Sequence, residues 1–353
     1  MLRTLRQRIT LTDIVVWIIG LAIAVMVILG SIRTLELHRY TASGWLDLTI
    51  KGLALGGVYA LIAMGYTMVY GILKMINFAH SEVFMSGPFT AVFIAIGFSN
   101  SGFLDRQPLL AILIITLVSA IVSMVIAILL ERICYRPLRN APRLVPLITA
   151  IGASFFLQYV FRGFYGSGTK GYPTITALRG TWHVFGIDVF KAQPVVIISA
   201  IAMMLVLYAI VQWTKIGKAM RSVSEDKEAA ELMGIDVDRI IVFTFAVGGA
   251  SAGVAGILYV LLFPAVNFYM GFFPGIKAFT AAVLGGIGNV PGAFLGSIIL
   301  GLLESVGPNL FLTGLGIPSP SQLKDAIAFV VLVLILIFRP TGILGERIAQ
   351  DKA

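Results

Sequence analysis

"PLLAILIITLVSAIVSMVIAILLERICYRPLRNAPR", residues 108–143, sets a long uncharged run directly against a basic one. From Pro108 to Leu130 there is no Asp, Glu, Lys or Arg, and Arg132, Arg136, Arg139 and Arg143 then crowd into twelve residues. A helix needs about 20 mostly apolar residues to cross the hydrocarbon core. Lys and Arg accumulate in loops on the cytoplasmic side. The stretch therefore reads as a transmembrane helix at 108–131 whose C-terminal end meets the cytoplasm.

The whole chain has the same character. Its 353 residues are 58% hydrophobic and only 12% charged, with a mean hydropathy of +0.97. A soluble domain carries roughly 25% charged residues, so a soluble fold is excluded. The net charge of +9 is explained by membrane orientation and requires no nucleic acid. A single cysteine, Cys134, excludes an intrachain disulfide framework.

Apolar runs place spans at roughly 13–31, 48–73, 82–98, 108–131, 144–163, 194–213, 239–263, 276–290, 292–310 and 324–338. The fold class is an all-α polytopic membrane protein with about 8–10 transmembrane helices and short broken or re-entrant segments. The first run follows a basic tail, residues 1–12, with Arg3, Arg6 and Arg8. It is long for a signal core and lacks a good cleavage site, so it reads as a retained anchor. One transmembrane domain covers 13–338, and 339–353 forms a second tail. With both tails inside, the cytoplasmic segments hold sixteen of the twenty-six Lys and Arg. The loop 164–193 is then extracytoplasmic.

Two stretches rich in Gly or Pro, around 87–97 and 281–296, read as breaks in mid-membrane. Irregular backbone at that depth is tolerated only where it is buried in protein or lines a wet cavity. Gly285, Gly286, Gly288 and Asn289 are thus pathway candidates, although glycine in membranes equally serves close helix packing. The segments 70–87 and 282–296 each join an apolar run, an Asn-bearing turn (Asn77, Asn289) and a Gly-bearing run. They leave open whether the chain contains a repeat, a common device in transporters. Ionisable residues inside spans are functional candidates by default. Glu82 reads as either a pathway group or a structural partner of Lys74 or His80, and Glu304 is a weaker candidate. Lys51 and Lys277 are expected to snorkel to the outer interface.

The chain has no phosphate-binding G-x-x-x-x-G-K-[ST] loop. His38, His80 and His183 lack metal-ligand spacing. No cofactor or metal site is expected, and the chain does not read as an enzyme. "RSVSEDKEAAELMGIDVDR", 221–239, stands apart, with nine charged residues of nineteen. Ser222 followed by Glu225 fits a capping box and Gly234 a left-handed C-terminus. They frame a helix over about 223–233 in which Lys227 and Glu231 can pair. So short a helix is unstable alone in water. Ala229, Ala230 and Met233 form a smooth patch suited to docking on another protein; the alternative is a solvated loop. Over 215–239 acidic residues outnumber basic ones, six to five, which favours docking.

"EAAELMG" (228–234) resembles the cytoplasmic coupling loop of ATP-binding-cassette importer permeases. The blocks "GLALGGVYALIAMGYTMVYGILKMINFAHSEVFMSGPF" (52–89), "KAMRSVSEDKEAAELMGIDVDRIIVFTFAVGGASAGVAGILY" (218–259), "KAFTAAVLGGIGNVPGAFLGSIILGLLES" (277–305) and "FRPTGILGE" (338–346) together resemble the branched-chain amino-acid importer permease family. The resemblance implies inward, ATP-driven alternating access for a small polar solute, in a bacterial or archaeal inner membrane. It implies as partners two ATPase subunits that bind the ATP, a second homologous permease and an extracytoplasmic binding protein, with no nucleic acid. It maps the coupling loop to Glu228, Ala229, Ala230 and Gly234, and the cap and patch read above add Ser222, Glu225 and Met233 to the ATPase-coupling candidates. It sets Asn77, Phe78, Ala79 and His80 in a motif in which Ser81 replaces an expected Gly, and makes Asn77, Phe78, His80 and Glu82 pathway candidates. A urea or short-amide importer permease shares these blocks, and an ion-coupled secondary transporter is the alternative from another class.

Overall fold

The computed structural model describes residues 11–139, 141–142, 144–184, 187–339 and 341–345. The basic tail 1–10, Arg143 and the tail beyond Gly345 lie outside the described residues. The chain is a helical bundle: α1 (Leu11–Glu36), α2 (Ala42–Leu73), α3 (His80–Asn100), α4 (Phe103–Arg106), α5 (Pro108–Leu130), α6 (Leu144–Tyr165), α7 (Ala192–Trp213), α8 (Lys215–Glu225), α9 (Lys227–Leu232), α10 (Val237–Leu262), α11 (Phe272–Gly285), α12 (Val290–Gly307) and α13 (Lys324–Phe338). Among the described residues nine helices are long and apolar enough to cross a membrane. The expected ten are reached only by including α11, whose 14 residues span about 21 Å.

Burial sorts these helices. Helix α2 is the axis, with every residue from Gly56 to Val69 buried. Helices α10, α11 and α12 and one face of α7 pack against it, with α3 set against α5 and α10. In contrast, α5, α6 and α7 bury a single stripe each: on α6 only Pro146, Ala150, Ala153, Leu157, Gln158 and Phe161 are inside. Their remaining apolar faces are exposed, as lipid-facing helices require. Small residues let the central helices touch. A Cβ on Gly301 of α12 would lie 2.4 Å from Gly56 N of α2, a close approach typical of membrane helix interfaces.

The loops segregate to two ends. At one, Lys227 lies near Arg139 and Lys74, and Ile76 and Ile287 line a common crevice. At the other, β1 (Lys170–Gly171) pairs with β4 (Ala265–Val266) beside the hairpin β2 (Thr181–Val184) and β3 (Ile187–Phe190). Thr176 Oγ1 donates to Asp105 Oδ1 at 2.6 Å at this end.

Two expectations about broken backbone need correction. Helix α3 continues through 87–97 without interruption, although Pro88 lies inside it. Proline removes a helix donor and normally kinks its helix. Here its ring fits where Gly256 of α10 has no side chain: a Cβ on Gly256 would lie 2.6 Å from Pro88 Cδ. The second break is real but sits at the Arg-rich end of the bundle rather than in mid-span. Gly286 has φ +106° and Gly288 φ +101°, values that favour glycine. The turn is closed by the segment after α13, where Ile343 N donates to Leu284 O at 2.8 Å and Leu344 N to Gly285 O at 2.9 Å.

Candidate functional site

The charged stretch folds as two short helices at the Arg-rich end. Thr214 caps α8, accepting from Gly217 N at 2.9 Å. Met220 and Val223 anchor α8 on the bundle. Arg221 Nη1 donates to Gln212 Oε1 at 3.0 Å. The chain then breaks at Asp226, whose side chain accepts from Ala229 N at 3.0 Å and caps α9. The expected capping box at Ser222 and Glu225 does not form: Ser222 lies within α8, its Oγ donating back to Lys218 O, and Glu225 is the last residue of α8. An Asp cap three residues from its N–H partner satisfies an orphan donor at once, so the break at Asp226 replaces one continuous helix.

The other end of α9 is as expected. Gly234 has φ +83°, with Ile235 N donating to Ala230 O at 3.1 Å and Gly234 N to Glu231 O at 2.9 Å, the bonding of a left-handed helix terminus. Lys227 does not pair with Glu231. Its ammonium pKa is held below the usual lysine value by desolvation first, and then by Arg139 and Lys74. The expected smooth patch is rearranged: Ala230 is buried against the bundle, while Ala229, Leu232 (88% exposed) and Met233 (83% exposed) point outward. Leu232 was not singled out from sequence. The base of the loop is fixed by Asp238, which accepts from Arg136 and Arg139, Arg139 also reaching buried Glu131. The carboxyl pKa of Asp238 is lowered chiefly by its Arg139 hydrogen bond.

The 77–82 segment starts α3 inside the bundle. Asn77 Oδ1 accepts from the buried Tyr135 hydroxyl at 2.5 Å. Phe78 packs on Phe279, centroids 5.7 Å apart. The His80 ring meets Tyr66 edge to face at 4.9 Å. The serine that replaces the expected glycine is accommodated by a glycine opposite it, since a Cβ on Gly275 would lie 2.3 Å from Ser81 Cβ. Glu82 is fully buried. Its Oε1 accepts from Gln158 Nε2 at 2.8 Å, Ser154 Oγ at 3.2 Å and Ser81 Oγ at 3.3 Å. Neither Lys74 nor His80 pairs with it, and Oε2 has no partner. Ser81, Ser154 and Gln158 border a cavity of about 220 Å³ between α3, α6 and α11.

Gly285, Gly286 and Asn289 belong to a different place, the closed turn at the Arg-rich end. Asn289 Oδ1 caps α12 through Gly292 N at 3.0 Å, and its Nδ2 donates to Leu344 O at 3.0 Å. These three do not line the cavity. Lys277 departs furthest from expectation. It is 4% exposed and does not snorkel: its Nζ lies 2.6 Å from both Glu304 Oε1 and Asp325 Oδ1. Tyr59 OH donates to Glu304 Oε2 at 2.9 Å. Glu304 is thus charge-paired across α2, α11, α12 and α13. Gln158, Ser154, Tyr59 and Asp325 were missed because single polar residues in apolar runs carry no periodic signal.

Axial α2, its glycine contacts, the lipid-facing rim helices and the buried polar groups define a multi-pass membrane protein. Residues 48–336 match the family model described as the branched-chain amino acid transport system / permease component, and the chain belongs to that family. It is 42% identical over 314 residues to the high-affinity branched-chain amino acid transport system permease protein BraD of Pseudomonas aeruginosa, covering 88% of this chain and 97% of that one. It is 40% identical over 307 residues to LivH of Escherichia coli K12, covering 86% and 96%. A shorter match, 30% over 142 residues, is to the probable branched-chain amino acid transport permease protein LivM of Methanocaldococcus jannaschii, covering 38% of this chain and 41% of that one. The chain is a permease subunit of the ATP-binding-cassette importer class, a transport component rather than an enzyme.

Proposed function

We propose that this permease imports branched-chain amino acids by alternating access, driven by ATP bound and hydrolysed on two separate ATPase subunits, with no cofactor of its own. The Arg-rich end then faces the cytoplasm, as do both tails. The observation that carries the reading is α9. It is a single capped turn and a half, too short to stand alone, yet rigidly mounted on α8 and α10 while Ala229, Leu232 and Met233 are presented outward. Such a knob transmits motion when it is seated in a partner's cleft. Ser222 and Glu225 act in mounting it, Glu228, Ala229 and Met233 in contact, and Ala230 and Gly234 in shaping it.

A second, homologous permease completes the pathway, a reading supported by the match to a LivM protein. A binding protein delivers solute to the opposite end, where the β2–β3 hairpin exposes Trp182. Purification from native membranes is expected to retain two ATPase subunits and a second permease. Leu232→Asp or Glu228→Arg is expected to release the ATPases. A chain that purifies alone, or as a homo-oligomer without ATPase, contradicts the reading.

A further inference from the structure

Glu82 presents a buried carboxyl with no cation beside it among the described residues. A carboxylate removed from water costs several kcal/mol unless a cation or a full set of donors compensates it. Three donors converge on Oε1, Oε2 is buried without any, and among the described residues no basic side chain pairs with the group. The three donors, Ser81, Ser154 and Gln158, border the 220 Å³ cavity, and the Glu82 carboxyl lies directly behind them, outside its lining. A water claims about 30 Å³ of liquid volume, so the space admits a solute of several heavy atoms.

The facing wall is of opposite character. Phe78, Phe272 and Ile276 contribute apolar surface there, and Phe155 adds to it from α6 beside Ser154. An inorganic cation has no use for such a wall, whereas an amphiphile with a cationic head and an aliphatic tail uses both. One wall also belongs to a rim helix: Ser154, Phe155 and Gln158 lie on α6, which buries a single stripe. A small displacement of α6 opens the polar donors on Oε1 to a competitor.

We infer that this cavity is a transit site for the amino acid, in which Glu82 receives the α-ammonium group and the aromatic and aliphatic wall receives the side chain. The inference rests on the proposed function and adds the residues that hold the solute between the two faces. The solute's ammonium enters the donor set of Glu82, and Gln158 and Ser154 turn toward its carboxylate. The charge of Glu82 is balanced only while solute is present, which favours a brief, weak occupancy suited to passage.

The test is uptake of radiolabelled leucine by the complete transporter in proteoliposomes, with loaded binding protein outside and ATP on the other face. Glu82→Gln is expected to lower the maximal rate at least about tenfold, as loss of one partner of a buried charge pair does. The concentration of loaded binding protein giving half the maximal rate should stay unchanged, and Glu82→Asp should recover part of the rate. A role confined to docking would move the half-saturation instead. Ile151→Trp, which fills the cavity from the exposed face of α6, should lower leucine uptake even if the Glu82 variant fails to assemble. Wild-type uptake with both Glu82→Gln and Ile151→Trp unimpaired overturns the inference alone; Glu82→Gln unimpaired also shows that a proton, not an ammonium, balances the group. A wild-type complex that moves no leucine with ATP overturns the proposed function and the inference with it.

Discussion

Glu304 and Glu82 are both buried carboxylates inside apolar helices, and they differ in what surrounds them. Glu304 has a lysine on one oxygen and a tyrosine hydroxyl on the other, with a second acid sharing the lysine. Glu82 has three neutral donors on one oxygen and nothing on the other. A completed group holds four helices together. An incomplete one remains available to a passing solute. Burial of an ionisable side chain is therefore a poor guide to its role until its partners are counted.

The contrast breaks first at Lys277. Lys277→Met strands Glu304 and Asp325 without their cation and should cost about 3–5 kcal/mol, read as a large fall in melting temperature in detergent. Adding Glu304→Gln should recover part of that loss. A single variant that melts like the wild type would remove the structural half of the comparison. Tyr59→Phe tests the same group more gently, leaving Glu304 Oε2 unsatisfied at a cost of about 1–3 kcal/mol.

Glu82→Gln should move stability the other way, by about 1 kcal/mol upward, because an unpaired buried charge is removed. A fall as large as that of the Lys277 variant would place Glu82 in the structural class. The smallest effect is expected at the half-exposed Asp238. Its pKa is depressed in the folded chain, so its contribution is present above the unfolded carboxylate value and is lost as pH falls through the lower folded one. Asp238→Asn should therefore cost a few tenths of a kcal/mol at neutral pH, after solvent screening. The difference should vanish in strong acid.

Much of the fold was legible because long apolar runs leave few alternatives. Most of the spans, the Gly234 terminus and the presence, though not the depth, of the glycine turn at 286–288 were readable. The cap was misassigned because Ser222 and Asp226 both precede plausible first turns, and only the packing of Met220 and Val223 extends α8 past the serine. The room for the Pro88 ring comes from Gly256, 168 positions away in the chain. Lys277 looked like a snorkelling residue because Glu304 and Asp325 come from other helices. For the site, Glu82 was visible as an acid in a span, but its partners Ser154 and Gln158 lie on α6, in a run that reads only as apolar. Three-dimensional pairing, rather than local pattern, decided each of these.

The most direct measurement is leucine accumulation by reconstituted transporter with ATP supplied only on the Arg-rich side, comparing wild type with Leu232→Asp. The account requires ATP-dependent accumulation in the wild type and none in the variant, with both melting alike. Accumulation driven by an ion gradient without ATP, or a Leu232→Asp protein that transports at the wild-type rate, would contradict it.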